Sequence, residues 1–245
     1  LRDWTFGPIE ALAPSPVLVM DRPGMGFSDP LTKDPHSIFA QAAALRESAR
    51  ALGFERPVLV GHSFGGSVAL AWATQFPQDV EGLLLLSAPS QVWEGGLDRI
   101  YSFSANPVVG PLFNRVAPAL AGEARVAKAI TSVFAPETAP EGYADGINAA
   151  LALRPAALRH NAKDLLALKG HIRRLVPQYP GMNLPVEILH GTEDGSVPID
   201  IHSDKTALEI PNAGYRRLVG AGHMPHHTQK AEMRAALDRL RARLT

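Results

Sequence analysis

Short apolar runs, each closed by glycine, proline or a polar residue, recur along this chain of 245 residues. Five of them have the length and continuity of strands buried on both faces of a parallel sheet. They are "PVLVMD" ending at Asp21, "PVLVGHS" ending at Ser63, "GLLLLSAP" ending at Pro89, "PVEILHG" ending at Gly191 and "YRRLVGAGH" ending at His223. Between the first two, Ile38, Ala42, Leu45, Ala49 and Leu52 recur every three or four positions, the period of an amphipathic helix. Asp34-Pro35 offers that helix a cap and first turn, and Gly53 a stop. A second helix is expected from about Gly65 to Phe76, where Pro77 ends it. Met233, Leu237, Leu240 and Leu244 write a third. Strands alternating with helices predict an α/β fold on a doubly wound, mostly parallel sheet.

The alternation fails once. Between Pro89 and Pro185 roughly 95 residues pass without a convincing strand, too many for a simple crossover. Segments such as "GEARVAKAITSVF" and "RPAALRHNAKDLLALKGHIRRLV" read as helices. Residues 91–181 are therefore expected to form a helical insertion over the carboxyl ends of the strands, with 1–90 and 182–245 as the core. A hydrophobic content of 46% suits one large domain with such an insertion. Basic and acidic residues number 24 each. With no basic stripe and no basic amphipathic segment, neither nucleic acid nor a membrane surface is an expected partner. The chain has no cysteine, which removes disulfides, a thiolate nucleophile and a Cys-based zinc site. The opening "LRDWTFGP" does not resemble a signal peptide, so the expected location is cytoplasmic.

Candidate chemistry begins where the second strand meets its helix, in "VLVGHSFGGSVALAW" from Val58 to Trp72. Glycines two before and two after Ser63 permit a sharp turn that holds the serine in a strained conformation and lifts its hydroxyl out of the sheet. The turn also puts Ser63 at a helix N-terminus, where the N–H of Phe64 can serve as one half of an oxyanion hole. This G-x-S-x-G pattern between strand and helix resembles the nucleophile elbow of the α/β-hydrolase family. The resemblance implies a chain order of serine, acid, histidine. "LHGTEDGSVP" supplies Asp194 just past a strand, similar to the family's acid loop, and "GAGHMPHH" supplies His223, similar to its histidine loop. Glu193 and Asp200 are rivals for the acid. His226 and His227 are rivals for the histidine, or else solvated residues at the start of the last helix. Three histidines within five positions lack the H-E-x-x-H form and a carboxylate cluster, so no metal is expected there. His62 is expected to shape the pocket, and His160, His171, His190 and His202 to be structural.

"DRPGMGFSDP", from Asp21 to Pro30, fails as a dinucleotide fingerprint because the third glycine position is Asp29 and Pro23 interrupts the turn. It resembles instead the Asp-x-x-Gly-x-Gly-x-Ser loop common among α/β-hydrolases. The family resemblance further implies a central strand between "PVLVMD" and "PVLVGHS", followed by a His-Gly-type loop giving the second oxyanion N–H. The expectation is an N-terminal segment of roughly 30 to 45 residues ahead of this sequence, and the second donor is unassigned. Trp93, Tyr101, Phe103, Phe113 and Phe134 either line an apolar pocket or hold the insertion together; Trp93, Phe103 and His62 are the candidate substrate contacts. Taken together, the resemblance implies a serine hydrolase of a small apolar substrate, most often an ester, without cofactor or metal. Carbon–carbon hydrolase, amidase, lactonase, thioesterase and cofactor-free haloperoxidase chemistry stay open, as does a non-catalytic ligand-binding role on the same fold.

Overall fold

The computed structural model describes residues 1–244. Four strands, β1 Val58–His62, β2 Gly82–Leu86, β3 Val186–Gly191 and β4 Gly214–Leu218, run parallel and lie side by side in chain order. The leucines of β2 show how the sheet is covered on both faces. Successive strand side chains point to opposite sides. Leu83 and Leu85 thus pack with Val68, Leu70, Trp72 and Ile172, while Leu84 and Leu86 pack with Leu189, Met233 and Leu237. The helices Ile38–Ala51, Phe64–Gln75 and Pro155–Leu175 supply the first layer, and Lys230–Arg241 supplies the second. This is the doubly wound α/β architecture expected from the sequence.

Between β2 and β3 the chain is helical throughout its regular elements: Arg99–Ala105, Gly110–Phe134, Tyr143–Gly146 and Pro155–Leu175. The second of these is broken at Gly122, whose φ of 64° no continuous helix adopts. The fourth buries Ala157, His160, Asp164, Leu168, Ile172 and Leu175, a stripe at helical spacing that includes two ionisable residues. No helix among the described residues is long and apolar enough to cross a membrane.

Two expectations need correction. Pro16–Asp21 is not a strand. Its side chains do alternate, Leu18 and Met20 toward one core layer and Val17 toward the other. No ladder reaches it, however, because it and β1 border the two sides of a groove of about 840 Å³. Apolar alternation records burial on both faces, but a strand also needs a hydrogen-bonded neighbour. The cap of helix Ile38–Ala51 is likewise not Asp34-Pro35 but Ser37, whose hydroxyl accepts the N–H of Ala40 at 3.4 Å.

Candidate active site

Ser63 directly follows β1 and caps helix Phe64–Gln75 with φ 51° and ψ −129°, a backbone conformation that costs about 1–3 kcal/mol and is held only by its surroundings. The glycines explain how the turn fits. A Cβ on Gly61 would stand 2.6–2.8 Å from the backbone of Gly65 and Gly66, and one on Gly66 would stand 2.4 Å from the Ala88 side chain. Gly65 meets nothing within 4 Å, so the close packing depends on Gly61 and Gly66 rather than on the second glycine of the motif. The turn brings Ser63 Oγ to 3.1 Å from His223 Nε2.

His223 follows β4 through a turn at Val219–Gly222 and is buried. Its Nδ1–H donates to Asp194 Oδ2 at 2.8 Å, which leaves Nε2 as the acceptor of the serine proton. Asp194 lies in the turn after β3, where its Oδ1 accepts the N–H groups of Ser196 and Val197 at 2.9 and 2.8 Å. Burial alone would raise this carboxyl; hydrogen bonds from His190 and His223 and from the Val197 N–H outweigh it and hold Asp194 far below the usual carboxylate range. The group is ionised whenever the protein is folded at neutral pH.

Sequence reading takes His190 as structural and so misses its bearing on the acid. His190 Nε2 faces both Asp194 Oδ2 at 3.1 Å and the Val197 carbonyl at 2.8 Å, so it carries a proton, and Nδ1 accepts the Ser203 hydroxyl at 2.6 Å. Asp194 is thereby fixed from three directions. His202, whose Nδ1 accepts the N–H groups of Ser90 and Gln91, is pushed down to about 4 by burial and stays neutral.

A second cluster borders the same site. His62 donates Nε2–H to the His223 carbonyl at 2.7 Å, with its ring 4.9 Å from that of His223 and 4.1 Å from that of His226. His226 and His227 are not solvated. Both are buried in the short helix Pro225–Thr228, and their Nε2 atoms bond the two oxygens of Asp3 at 2.8 Å. Tyr143 donates its hydroxyl to the same carboxylate at 2.7 Å. Burial opposes ionisation of Asp3, but the bonds from His226 and His227 win and depress its carboxyl strongly. A depressed carboxyl contributes stability that is complete above its unfolded value and disappears as pH falls below it. The stability difference between wild type and Asp3→Asn should accordingly be largest near neutrality and shrink below about pH 4; urea unfolding as a function of pH measures it.

Other expected residues lie elsewhere. Glu193 and Asp200 are exposed, and the carboxylate bonded to His223 is that of Asp194. Phe103 is 53% exposed, with its ring 6.2 Å from that of Phe113, and Trp93 packs on the core beside His202. Phe134 is buried against Tyr143 and His227. None of these aromatics borders the groove at Ser63; Asp3, Trp4, Met25, His62 and Phe64 do. Large aromatics reveal burial by their type, but not which cavity they face.

The sequence profile of the alpha/beta hydrolase fold matches residues 9–230. The chain belongs to the alpha/beta hydrolase fold family. Among curated relatives of this alpha/beta hydrolase, an uncharacterized protein of Mycobacterium tuberculosis is 28% identical over 237 residues, 91% of this chain. The chain spans 66% of that relative's length, just under two thirds. A 2-hydroxy-6-oxononadienedioate/2-hydroxy-6-oxononatrienedioate hydrolase of a Pseudomonas species is 26% identical across 76% of this chain and 62% of its own length. In structure, the bromoperoxidase of Bacillus anthracis superposes with a TM-score of 0.77 at 21% identity, covering 98% of this chain and 87% of its own. A thermophilic esterase of Thermogutta terrifontis gives 0.72 at 22%, covering 100% and 86%. At these identities the two structural likenesses speak to the fold alone.

Proposed function

We propose that this alpha/beta hydrolase is a serine esterase acting on a small, largely apolar carboxylic ester. One observation carries the reading: an unbroken chain of hydrogen bonds from the strained Ser63 through His223 to a buried, ionised Asp194, 3.1 and 2.8 Å long. A serine hydroxyl is a weak nucleophile until a base removes its proton. His223 Nε2 takes that proton as Ser63 Oγ attacks the substrate carbonyl carbon. The carbonyl oxygen gains the electron pair at the N-terminus of helix Phe64–Gln75, where first-turn N–H groups such as that of Phe64 are left over by the helix. Collapse expels the alcohol, protonated by His223, and leaves an acyl group on Ser63. Water, deprotonated by His223, then releases the acid. Asp194 holds Nδ1–H throughout and stabilises the imidazolium that forms twice.

Carbon–carbon hydrolysis is the second reading, favoured by curated relatives named as hydrolases of 2-hydroxy-6-oxo-dienoates. Such substrates carry carboxylates and call for a free cation near the serine. Arg22 borders the groove, but Asp164 already pairs with it at 2.8 Å. An uncharged ester suits that electrostatic setting better. The test compares p-nitrophenyl esters of graded acyl length with a 2-hydroxy-6-oxo-dienoate. The expected outcome is kcat/KM at least tenfold higher for a short ester. Turnover of the dienoate alone would transfer the reading to carbon–carbon cleavage, and turnover of neither on folded protein would leave a ligand-binding role.

A further inference from the structure

Asp164, on the helix Pro155–Leu175, is fully buried between that helix, the loop after Met20 and the approach to helix Ile38–Ala51. Its two oxygens have divided roles. Oδ2 accepts Arg22 Nη1 at 2.8 Å and Gln41 Nε2 at 3.2 Å. Oδ1 faces two imidazoles, with His36 Nδ1 at 2.8 Å and His160 Nε2 at 3.4 Å. His160 is only 8% exposed, yet its Nε2 has no hydrogen-bond partner. A ring nitrogen hidden from water and left unbonded needs an explanation.

The three facing atoms lie within 4.8 Å of one another. Ligand atoms bound tetrahedrally to zinc at about 2.0–2.1 Å stand about 3.3 Å apart; the two imidazole-to-carboxylate separations here are 2.8 and 3.4 Å, and the two imidazole nitrogens lie within 4.8 Å of each other. Two imidazoles and one carboxylate form a borderline donor set, matched to zinc and its late first-row neighbours rather than to magnesium or calcium. The remaining surroundings also fit. Arg22 and Gln41 hold the carboxylate by the oxygen that faces away, the kind of outer bonding that orients a metal-bound carboxylate. A Cβ on Gly24 would fall 2.3–2.4 Å from Nε2, Cδ2 and Cε1 of His160, so only a glycine fits against this edge of the ring.

We propose that His36 Nδ1, His160 Nε2 and Asp164 Oδ1 form a zinc-binding site, with water in the fourth position on the His36 side. His36 is a quarter exposed there and provides an entry path. Zinc displaces the hydrogen bond between His36 and Asp164, and the His36 proton moves to the other ring nitrogen. The charge of Arg22 weakens the site without blocking it. In this proposal His160, a structural residue in the sequence reading, becomes a ligand.

Bound zinc would link residues 128 positions apart, one ahead of a core helix and one on the long helix between β2 and β3. It also bears on the catalytic end, because the Arg22 guanidinium lies 4.0 Å over the ring of Phe64. A ligand that binds the folded chain alone stabilises it by mass action.

The experiment uses chelator-treated, tag-free protein titrated with Zn²⁺ by calorimetry. Co²⁺ gives a visible-absorption readout, and thermal midpoints are taken with and without Zn²⁺. Wild type should bind one equivalent and melt higher with zinc. His36→Gln and His160→Gln should each weaken binding at least tenfold, and the double variant should lose both the site and the zinc-dependent thermal shift. His36→Gln, at the more exposed ligand, keeps the test informative if His160→Gln fails to fold. Absence of binding to wild type would overturn the proposal. So would wild-type binding by the double variant, which would put the metal at another cluster such as Asp3, His62 and His226.

Discussion

Replacing Ser63 with alanine should lower turnover of a short ester by about 10⁴- to 10⁶-fold while leaving the fold in place. The hydroxyl is the only group removed. Alanine keeps the Cβ and therefore the same backbone strain at φ 51°, so the elbow is neither relieved nor disturbed. The lost contact is one hydrogen bond of 3.1 Å to His223, worth about 0.5–1.5 kcal/mol of stability. Thermal midpoint and circular dichroism should therefore stay near wild type while the initial rate collapses. A rate within tenfold of wild type would remove Ser63 as the nucleophile.

Asp194→Asn should be nearly as severe, about 10⁴-fold in kcat, for a reason visible in the hydrogen bonds. The N–H groups of Ser196 and Val197 require an acceptor, and the amide oxygen must take the Oδ1 position to serve them. The amide nitrogen then faces His223 Nδ1. A donor there forces Nδ1 to accept, moves the ring proton to Nε2 and leaves nothing to receive the Ser63 proton. The same nitrogen also opposes the Nε2–H of His190, so this variant should lose stability where Ser63→Ala does not. Initial rates and urea midpoints measured together separate the two effects. Glu193→Gln, altered at an exposed neighbour, should behave like wild type. Loss of activity in Glu193→Gln with a mild effect in Asp194→Asn would reverse the assignment of the acid.

Much of this site could be read from local pattern. The residues around Ser63 join a strand-like run to a helix-like run through glycines, and that local sequence dictates the elbow. Asp194 and His223 each follow a strand-like run, and parallel strands deliver such loops to one edge of the sheet. What stayed hidden is contact between distant single residues. Asp3 is one acid near the start of the sequence, with nothing local to say that His226 and His227 bind it from 223 and 224 positions away. His190 and Asp194 are four apart, but only the turn after β3 makes them neighbours. Pro16–Asp21 reads as a strand because its side chains meet both core layers, and pairing is not written in its own residues. Nothing local to Asp164 says that the fold sets Arg22, Gln41 and two histidines around it.

The most direct test of an activated serine is intact-mass analysis of the wild-type protein and Ser63→Ala after exposure to a fluorophosphonate. The reagent mimics the tetrahedral step and reacts only with a hydroxyl whose proton is being taken. One adduct on the wild type and none on Ser63→Ala is the predicted result. An unlabelled wild type that is folded, or equal labelling of the two proteins, would contradict the account.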